Sequence, residues 1–560
     1  MSISDLRGPA RSPVLTFLSA WSGYLLAMLS GLLLASAFPT LGIAGFAWIA
    51  PALMIAAAHD KNSGEVWRVG YLAGLTYNLS SFYWLLLIPV VGFPILGWAA
   101  LSAFLALFIA TWVWLVAGWS ERLRSWPGRL LWSLGGAAAW VALEMIRARI
   151  FGGLPWNFIG VSQYKITPLI QIAAITGVYG ISFLVVWVAL SLYCAARAVL
   201  TQPTARFAWQ AEIILPFLVV VVVFTAGVVK LRQSPPAASN LRVTLIQPSV
   251  PQSLIWDTSG NARRFQQLLT LTETALTNRT DLLIWPEAAL PEFSDENYRA
   301  ITNLIRTHHV WMIFNADHDV MRPGAKDAND YDVYNAAYFF DPAGNFINVY
   351  DKQNLVMFGE YIPLAHWLPF LKWFSPIGDG FAAGDKPGRF TLNRWGENLA
   401  SPDYETIQLG GGSSRSTVNI VPLICFEDIF PQLARKDVNP NTDFLVNLTN
   451  DGWFGHSAQQ WEHLANAVFR TVENDVPLVC CCNNGITGWV DAHGQVRRIL
   501  RDTGGGVYGP GFMTIKIPLP DERPEPTFYH RHGHWFRLGC VGITVLGLML
   551  TIRRRQQPAN

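Results

Sequence analysis

Charge is scarce in this chain. Only 14% of its 560 residues are Asp, Glu, Lys or Arg, and the formal net charge is +2. No field of one sign exists to gather nucleic acid. Cysteine is also sparse: the six are Cys194, Cys425, Cys480, Cys481, Cys482 and Cys540. They lack CxxC spacing and paired histidines, which argues against a zinc site and against a disulfide framework. The close histidine set, His530, His532 and His534, precedes an apolar run, and a solvated interfacial cluster is expected there in preference to a metal site. A GxxxxGK[ST] phosphate loop is missing, so nothing points to a nucleotide energy source or to any other cofactor. What is abundant is apolar: 51% of residues are hydrophobic. That is too much for a wholly soluble protein, and the length exceeds one ordinary domain.

From Val14 to Leu231 the apolar residues fall into seven runs, centred near Leu26, Ala50, Leu79, Leu105, Ala139, Leu184 and Val220. Each is roughly 20 residues long, enough to cross about 30 Å of hydrocarbon. Arg7 and Arg11 precede the first run, and Lys61 with Arg68, Arg122 with Arg124 and Arg129, and Arg197 with Arg206 fill alternate connections. The connections around Pro39 and Gly92 carry no Lys or Arg, so the charged ones are expected in the cytoplasm. The connection with Arg147, Arg149 and Lys165 departs from this pattern without reversing it. A last run, Trp535 to Ile552, is followed by Arg553, Arg554 and Arg555. Eight spans therefore close with both termini cytoplasmic. Ala35, Ser36 and Ala37 resemble a signal-peptide cleavage site, but the run is long for one and more spans follow, so an uncleaved first helix is expected.

The expected organisation is a seven-span region over residues 1–232, a linker over 233–240, an extracytoplasmic α/β domain over 241–520 and a last membrane helix over 535–552. Within 241–520 the runs LRVTLIQ, DLLIWPE, VWMIFNA, AAYFFD, FINVYDK, VNIVPLIC, DFLVNLT, PLVCCCN and FMTIKIP read as strands. Ala262 to Leu276, Asp295 to Thr307 and Gln459 to Glu473 read as helices, and the alternation indicates a layered α/β fold. DPAGN (341–345) and DAHGQ (491–495) suit hairpin turns. The triplet Cys480 to Cys482 reads as strand packing.

Three of these strands end in a reactive group: Glu287, Lys352 and Cys425. A thiol needs a base or a nearby cation before it attacks, and Glu287 and Lys352 offer both. Lys352 and the backbone N–H of Phe426 are also candidate donors to the oxyanion of a tetrahedral intermediate. Singly each residue has a dull explanation, but three strand tips in one domain point to catalysis.

The order Glu, Lys, Cys, in the contexts WPE, YDKxxLVMFGEYIP and LICFED, resembles the nitrilase superfamily, whose domain is an αββα sandwich with a Glu-Lys-Cys triad. Joined to a polytopic membrane part, the chain is similar to the bacterial apolipoprotein N-acyltransferase family over essentially its whole length. NLTNDGWFG (447–455), the helix with His463, Arg470 and Glu473, NNG (483–485) and PSVPQSLIWD also match. The resemblance implies that Glu287 is general base, that Lys352 holds the oxyanion and that Cys425 forms an acyl thioester. Glu360 and Glu427 match two supporting carboxylates, and Trp256, Trp453, Tyr361 and Asn450 match substrate-binding positions. One position departs: the family commonly has tyrosine where this chain has Phe426, which keeps the backbone donor and loses a hydroxyl.

The implied reaction moves a fatty acyl chain from a membrane phospholipid to the α-amino group of the lipid-modified N-terminal cysteine of an apolipoprotein, with no metal and no cofactor. The expected setting is the bacterial inner membrane, the catalytic domain facing the periplasm. A monomer is expected, since nothing signals oligomerisation. Drawing an acyl chain into water costs on the order of 10 kcal/mol at about 0.8 kcal/mol per CH₂, so the site must meet the lipid surface. The segment HWLPFLKWF (366–374) suits either an interfacial element or ordinary core packing, and the resemblance favours a mobile lid. The alternative reading is a membrane-anchored amidohydrolase acting on a small amide with the same triad. A transporter or receptor with an inactive outer domain is a third reading, weakened by the isolation of Glu144 and Glu212 in the spans.

Overall fold

The computed structural model describes residues 13–90, 92–119, 125–201, 209–233, 239–324, 330–363, 367, 380–393 and 417–555. Most of the expected linker, and HWLPFLKWF apart from Trp367, lie outside the described residues.

Period-2 patterning builds the second half of the chain. β1 (Ser239–Gln247), β2 (Leu282–Ile284), β3 (Trp311–Met321), β4 (Tyr331–Phe340), β5 (Phe346–Asp351) and β12 (Gly511–Leu519) form one six-stranded sheet in the order β12-β1-β2-β3-β4-β5. β6 (Phe390–Asn393), β7 (Thr417–Ile424), β8 (Phe444–Thr449), β9 (Leu478–Cys482), β10 (Gly488–Val490) and β11 (Val496–Ile499) form the second, in the order β11-β10-β9-β8-β7-β6. Alternate residues divide between layers. Val243, Leu245, Ile420, Ile424, Val446 and Met513 fill the core between the sheets. Ile246, Leu283, Met312 and Phe314 face instead the helices Asn261–Ala275 and Asp295–His308. The other sheet carries helix Gln459–Asn474. This is an αββα sandwich. Every run read as a strand carries one, and DPAGN and DAHGQ close the β4–β5 and β10–β11 hairpins. Cys480, Cys481 and Cys482 are buried in β9, as their small apolar side chains suggest.

Among the described residues, four helices are long and apolar enough to cross a membrane: Pro94–Gly118, Trp126–Arg147, Val178–Thr201 and Glu212–Leu231. Helices Pro13–Ser36, Ser63–Ser81 and Trp535–Arg555 lie on three more of the expected runs. The run centred near Ala50 differs. It forms a 3-10 turn, Ala44–Trp48, and an eight-residue helix, Ala50–Ala57, and eight residues rise only about 12 Å. Small residues set the packing. A Cβ on Gly70 would lie 2.9 Å from the Val113 Cβ, and one on Gly74 would lie 2.9 Å from the Ala106 Cα. Ser63–Ser81 and Phe93–Gly118 therefore approach backbone to backbone.

Helix Gln459–Asn474 is buried at every position but Trp461, which is half-buried, because it is covered on both sides. One face meets the sheet through Ala467. Leu464, Ala465, Val468, Phe469 and Val472 belong to the core of the membrane helices. Among the described residues, this helix lies between the second sheet and the membrane part and contributes to the core of each.

Candidate active site

β7 is apolar to its end, as a strand buried on both faces must be, and stops at Cys425. There the chain enters a 3-10 turn, Cys425–Ile429, and Cys425 takes φ +51°. This left-handed conformation costs a residue with a Cβ on the order of 1 kcal/mol and persists only where neighbours hold it. Two bonds do so. Asn447 Nδ2 donates to the Cys425 carbonyl at 3.0 Å, and Glu427 Oε2 accepts from the Ile424 N–H at 2.8 Å. Phe426 follows at the start of the turn, so its N–H has no acceptor within that turn. Its ring packs edge-on against Phe430, centroids 5.1 Å apart.

Glu287 leaves β2 through Trp285 and Pro286, a residue that cannot extend the ladder. Lys352 leaves β5, which runs in the same direction as β2 and β3. Both side chains reach the same point and are buried. Lys352 Nζ lies 2.7 Å from Glu360 Oε1 and 3.6 Å from Glu287 Oε1. Asn335 Nδ2 donates to both carboxylates, at 2.9 Å to Glu287 and 3.0 Å to Glu360. The Cys425 thiol stands close enough to Glu287 and Lys352 to feel both charges. Glu287, Lys352 and Cys425 therefore converge on one buried place, with Glu360 fixing the Lys352 ammonium. Val356 N–H holds Glu360 in turn, at 2.8 Å to Oε2.

Burial dominates the electrostatics. It pushes the Cys425 thiol well above its ordinary value, Glu287 adds to this, and Lys352 opposes it. Burial also raises the Glu287 carboxyl, against the pull of Lys352. Burial pulls the Lys352 ammonium down, but the Glu360 and Glu287 carboxylates outweigh it and hold the group above its ordinary range. The resting site thus holds a neutral thiol and a carboxyl of raised affinity for protons beside an ammonium group that keeps its charge. That is the arrangement for base-assisted attack rather than for a preformed thiolate.

Glu427 is fully buried and acts on the backbone. Its oxygens accept from Tyr350 Oη at 2.9 and 2.8 Å, Gln353 N–H at 2.7 Å and Asn354 N–H at 3.0 Å, besides Ile424. One carboxyl thus fastens the segment after Lys352 to the turn at Cys425. Burial raises it to about 7 against these bonds. Glu427→Gln keeps one acceptor oxygen for the Gln353 and Asn354 N–H groups and turns its NH₂ toward the Ile424 N–H, leaving at least that buried donor unpaired. A loss of roughly 2 kcal/mol of stability is expected, read from the unfolding midpoint of the purified protein.

The other expected positions spread around this centre. Trp256 and Trp453 pack edge to face, centroids 5.3 Å apart, with Trp256 47% exposed. Tyr361 brings its hydroxyl toward Gly152 of the membrane part, where an added Cβ would lie 3.2 Å from it. Asn450 is buried with its amide engaged: Nδ2 donates to Gln252, and Oδ1 accepts from Gly452 and Asn483. It ties three loops together. Among the described residues no three His, Cys, Asp or Glu side chains gather as metal ligands.

The sequence reading missed Asn335, although an amide in the otherwise apolar run VYNAAYFF was its signal. It also missed a second network. His463 Nε2 meets Asp428 Oδ1 and Nδ1 meets Asp451 Oδ1, each at 2.9 Å. Burial pulls this imidazole down, but the two carboxylates raise it well above its ordinary value. Asp428 also accepts from Asn447, the residue holding the Cys425 carbonyl.

Residues 30–191 match the family described as the apolipoprotein N-acyltransferase N-terminal domain, and residues 242–509 match the carbon-nitrogen hydrolase family. The chain is 33% identical over 549 residues to the apolipoprotein N-acyltransferase of Geobacter metallireducens, covering 95% of this chain and 96% of that protein. It is 30% identical over 528 residues to the enzyme of that name from Rickettsia prowazekii, covering 93% and 96%. A solved mutant of an amidase of the nitrilase superfamily, from Nesterenkonia AN1, covers 55% of this chain and 99% of its own at 16% identity and a TM-score of 0.34. A helix bundle and a nitrilase-like α/β sandwich matching two families in one chain, with relatives alike from end to end, make this protein a member of the apolipoprotein N-acyltransferase family.

Proposed function

We propose that this chain transfers a fatty acyl chain from a membrane phospholipid to the α-amino group of the lipid-modified N-terminal cysteine of an apolipoprotein, through a thioester on Cys425. The observation that carries this reading is the convergence of Cys425, Glu287 and Lys352 on one buried place in a member of this family. Glu287 takes the thiol proton as the sulfur attacks the ester carbonyl. Lys352 Nζ and the Phe426 N–H stabilise the oxyanion. Its collapse breaks the ester C–O bond, Glu287 returns the proton to the leaving lysophospholipid, and the acyl group stays on sulfur. The acceptor amine then attacks the thioester, Glu287 manages its proton, and the amide leaves with the thiol restored. Glu360 orients Lys352, Glu427 joins the two catalytic segments, and Trp256, Trp453 and Tyr361 border the approach.

Eight membrane crossings, the second made by the 3-10 turn Ala44–Trp48 and the short helix Ala50–Ala57 in place of one long helix, with both termini in the cytoplasm and the sandwich on the periplasmic face, fit the distribution of Lys and Arg. In this arrangement the sandwich rests against the membrane helices through Gln459–Asn474, so a lipid acyl chain need not cross water to reach Cys425. Hydrolysis of a small amide would need neither that placement nor the membrane part. The chain acts as a monomer in this reading.

The raised Glu287 sets a pH test. Below its folded pKa the carboxyl holds a proton and cannot take one from the thiol, while Lys352 stays charged. Single-turnover acylation should fall on acidification with a midpoint above the ordinary 4.5, and Glu287→Gln should remove that limb together with most of the rate. A midpoint at or below 4.5, or an unchanged limb in the variant, contradicts the role.

A further inference from the structure

Glu462 has no place in the reaction described above. It lies 1% exposed on helix Gln459–Asn474, and its carboxyl points away from the sandwich. Its Oε2 accepts two indole N–H groups, Trp156 Nε1 at 2.7 Å and Trp84 Nε1 at 3.2 Å. Both tryptophans belong to the membrane part. Trp84 lies in the 3-10 turn Tyr83–Leu87 after helix Ser63–Ser81, and Trp156 follows helix Trp126–Arg147. Their rings sit 5.4 Å apart. An indole N–H can only donate, so two of them converging on one oxygen in a buried place require an acceptor there. Among the described residues no cation pairs with the carboxyl: burial raises it to about 8, against hydrogen bonds from Trp156, Trp84 and Asn157.

The contact continues to the nucleophile. The Trp156 ring lies 5.6 Å from the His463 ring, the residue after Glu462. His463 spans Asp428 and Asp451. Asp428 stands in the turn Cys425–Ile429 and accepts from Asn447, which also holds the Cys425 carbonyl. One helix turn above, Asn466 Oδ1 accepts the Asn157 N–H at 3.2 Å, a second tie to the same membrane loop. A packed and hydrogen-bonded line thus runs from two membrane-part tryptophans to the strained backbone of the nucleophile.

We propose that Glu462 is a positioning residue through which the membrane part holds the Cys425 turn in its attacking geometry. Within the sandwich Asn447 and Glu427 hold that left-handed residue, and the membrane part supplies the outer wall against which helix Gln459–Asn474 is seated. The inference rests on Cys425 being the nucleophile.

The test uses the full-length chain in mixed phospholipid–detergent micelles, with rates expressed per titratable Cys425 thiol. Misplacing a reacting group by about 1 Å costs about 100-fold. Glu462→Ala should therefore lower the acylation rate constant about 100-fold while the half-saturating phospholipid concentration changes by less than about 3-fold. Glu462→Gln keeps an acceptor oxygen and should stay within about 10-fold of the unsubstituted rate. Trp156→Phe keeps the ring and deletes only the N–H, so it decides the matter if Glu462→Ala does not fold; a fall of about 10-fold is expected. Iodoacetamide alkylation of Cys425 should slow in the same order, since it also needs the thiol aligned on Glu287. Unchanged rates in both Glu462→Ala and Trp156→Phe, or a Gln variant as impaired as Ala, overturn the proposal. If the unsubstituted chain forms no thioester, the acyl-transfer reading fails instead, and alkylation alone still judges the role of Glu462.

Discussion

Cys425→Ala should abolish acyl transfer, leaving a folded protein that takes up no acyl group from phospholipid. The expected loss is on the order of 10⁴-fold or more, the scale seen when a covalent nucleophile is removed and only binding and oxyanion donors remain. No neighbouring thiol can stand in. Cys482 is fully buried in β9 with its sulfur toward Asp451, and burial and Asp451 together push it well above its ordinary value. Cys481 points at the Ile246 and Ile284 carbonyls between the sheets. The substitution leaves in place the Lys352 and Asn335 contacts that hold the Glu287 carboxyl. The variant should therefore unfold at a temperature close to that of the unsubstituted protein. Transfer within 10-fold of normal would mean that the acyl group never rests on Cys425.

Lys352→Met has the second largest expected effect, for two separable reasons. It deletes the charge nearest the developing oxyanion, a change that costs about 10² to 10³ where a preorganised donor is lost. It also leaves Glu287 and Glu360 buried together on one Asn335 amide. Two carboxylates so placed cannot both stay ionised, and one takes a proton. Whenever that proton sits on Glu287 the base is lost as well. Adding Glu360→Gln to Lys352→Met removes one carboxylate from the conflict. The double variant should recover stability relative to Lys352→Met while acylation stays at its low level. Recovery of the rate along with stability would assign Lys352 to structure alone. The two quantities come from a thermal unfolding curve and a single-turnover assay on the same preparations.

Much of this architecture was legible in the residues because strong local patterns coincided with the fold. β1, β7 and β8 are continuous apolar runs with turn residues after them, and the reactive side chains Glu287, Lys352 and Cys425 stand where those patterns stop. β6, β10 and β11 were not legible. They are three or four residues long, β10 opens on glycine and β11 reads VRRI, so pairing with neighbours rather than local preference makes them strands. The run near Ala50 shows the opposite failure. Its apolar content matches a span, but Pro51 starts a new short helix there, and composition is blind to where a helix begins.

The site divides in the same way. Reactive residues announce themselves by type and position, whereas the groups that hold them do so only through tertiary contact. Asn335 lies 48 positions from Glu287 and 25 from Glu360. His463 reaches Asp428 across 35 positions and Asp451 across 12. Glu462 finds its partners 378 and 306 positions away. On a helix, Glu462 and His463 read as an ordinary polar patch on a solvated face. They are buried because a helix bundle encoded some 300 residues earlier covers them.

The most direct test of the account is the intact mass of the purified protein after incubation with phospholipid, with the added mass mapped to its peptide. The account predicts one acyl group on Cys425, absent from Cys425→Ala, stable in water and released as an amide on addition of a peptide bearing a lipid-modified N-terminal cysteine. No adduct, an adduct on another residue, or release by water as fast as by the amine would contradict it.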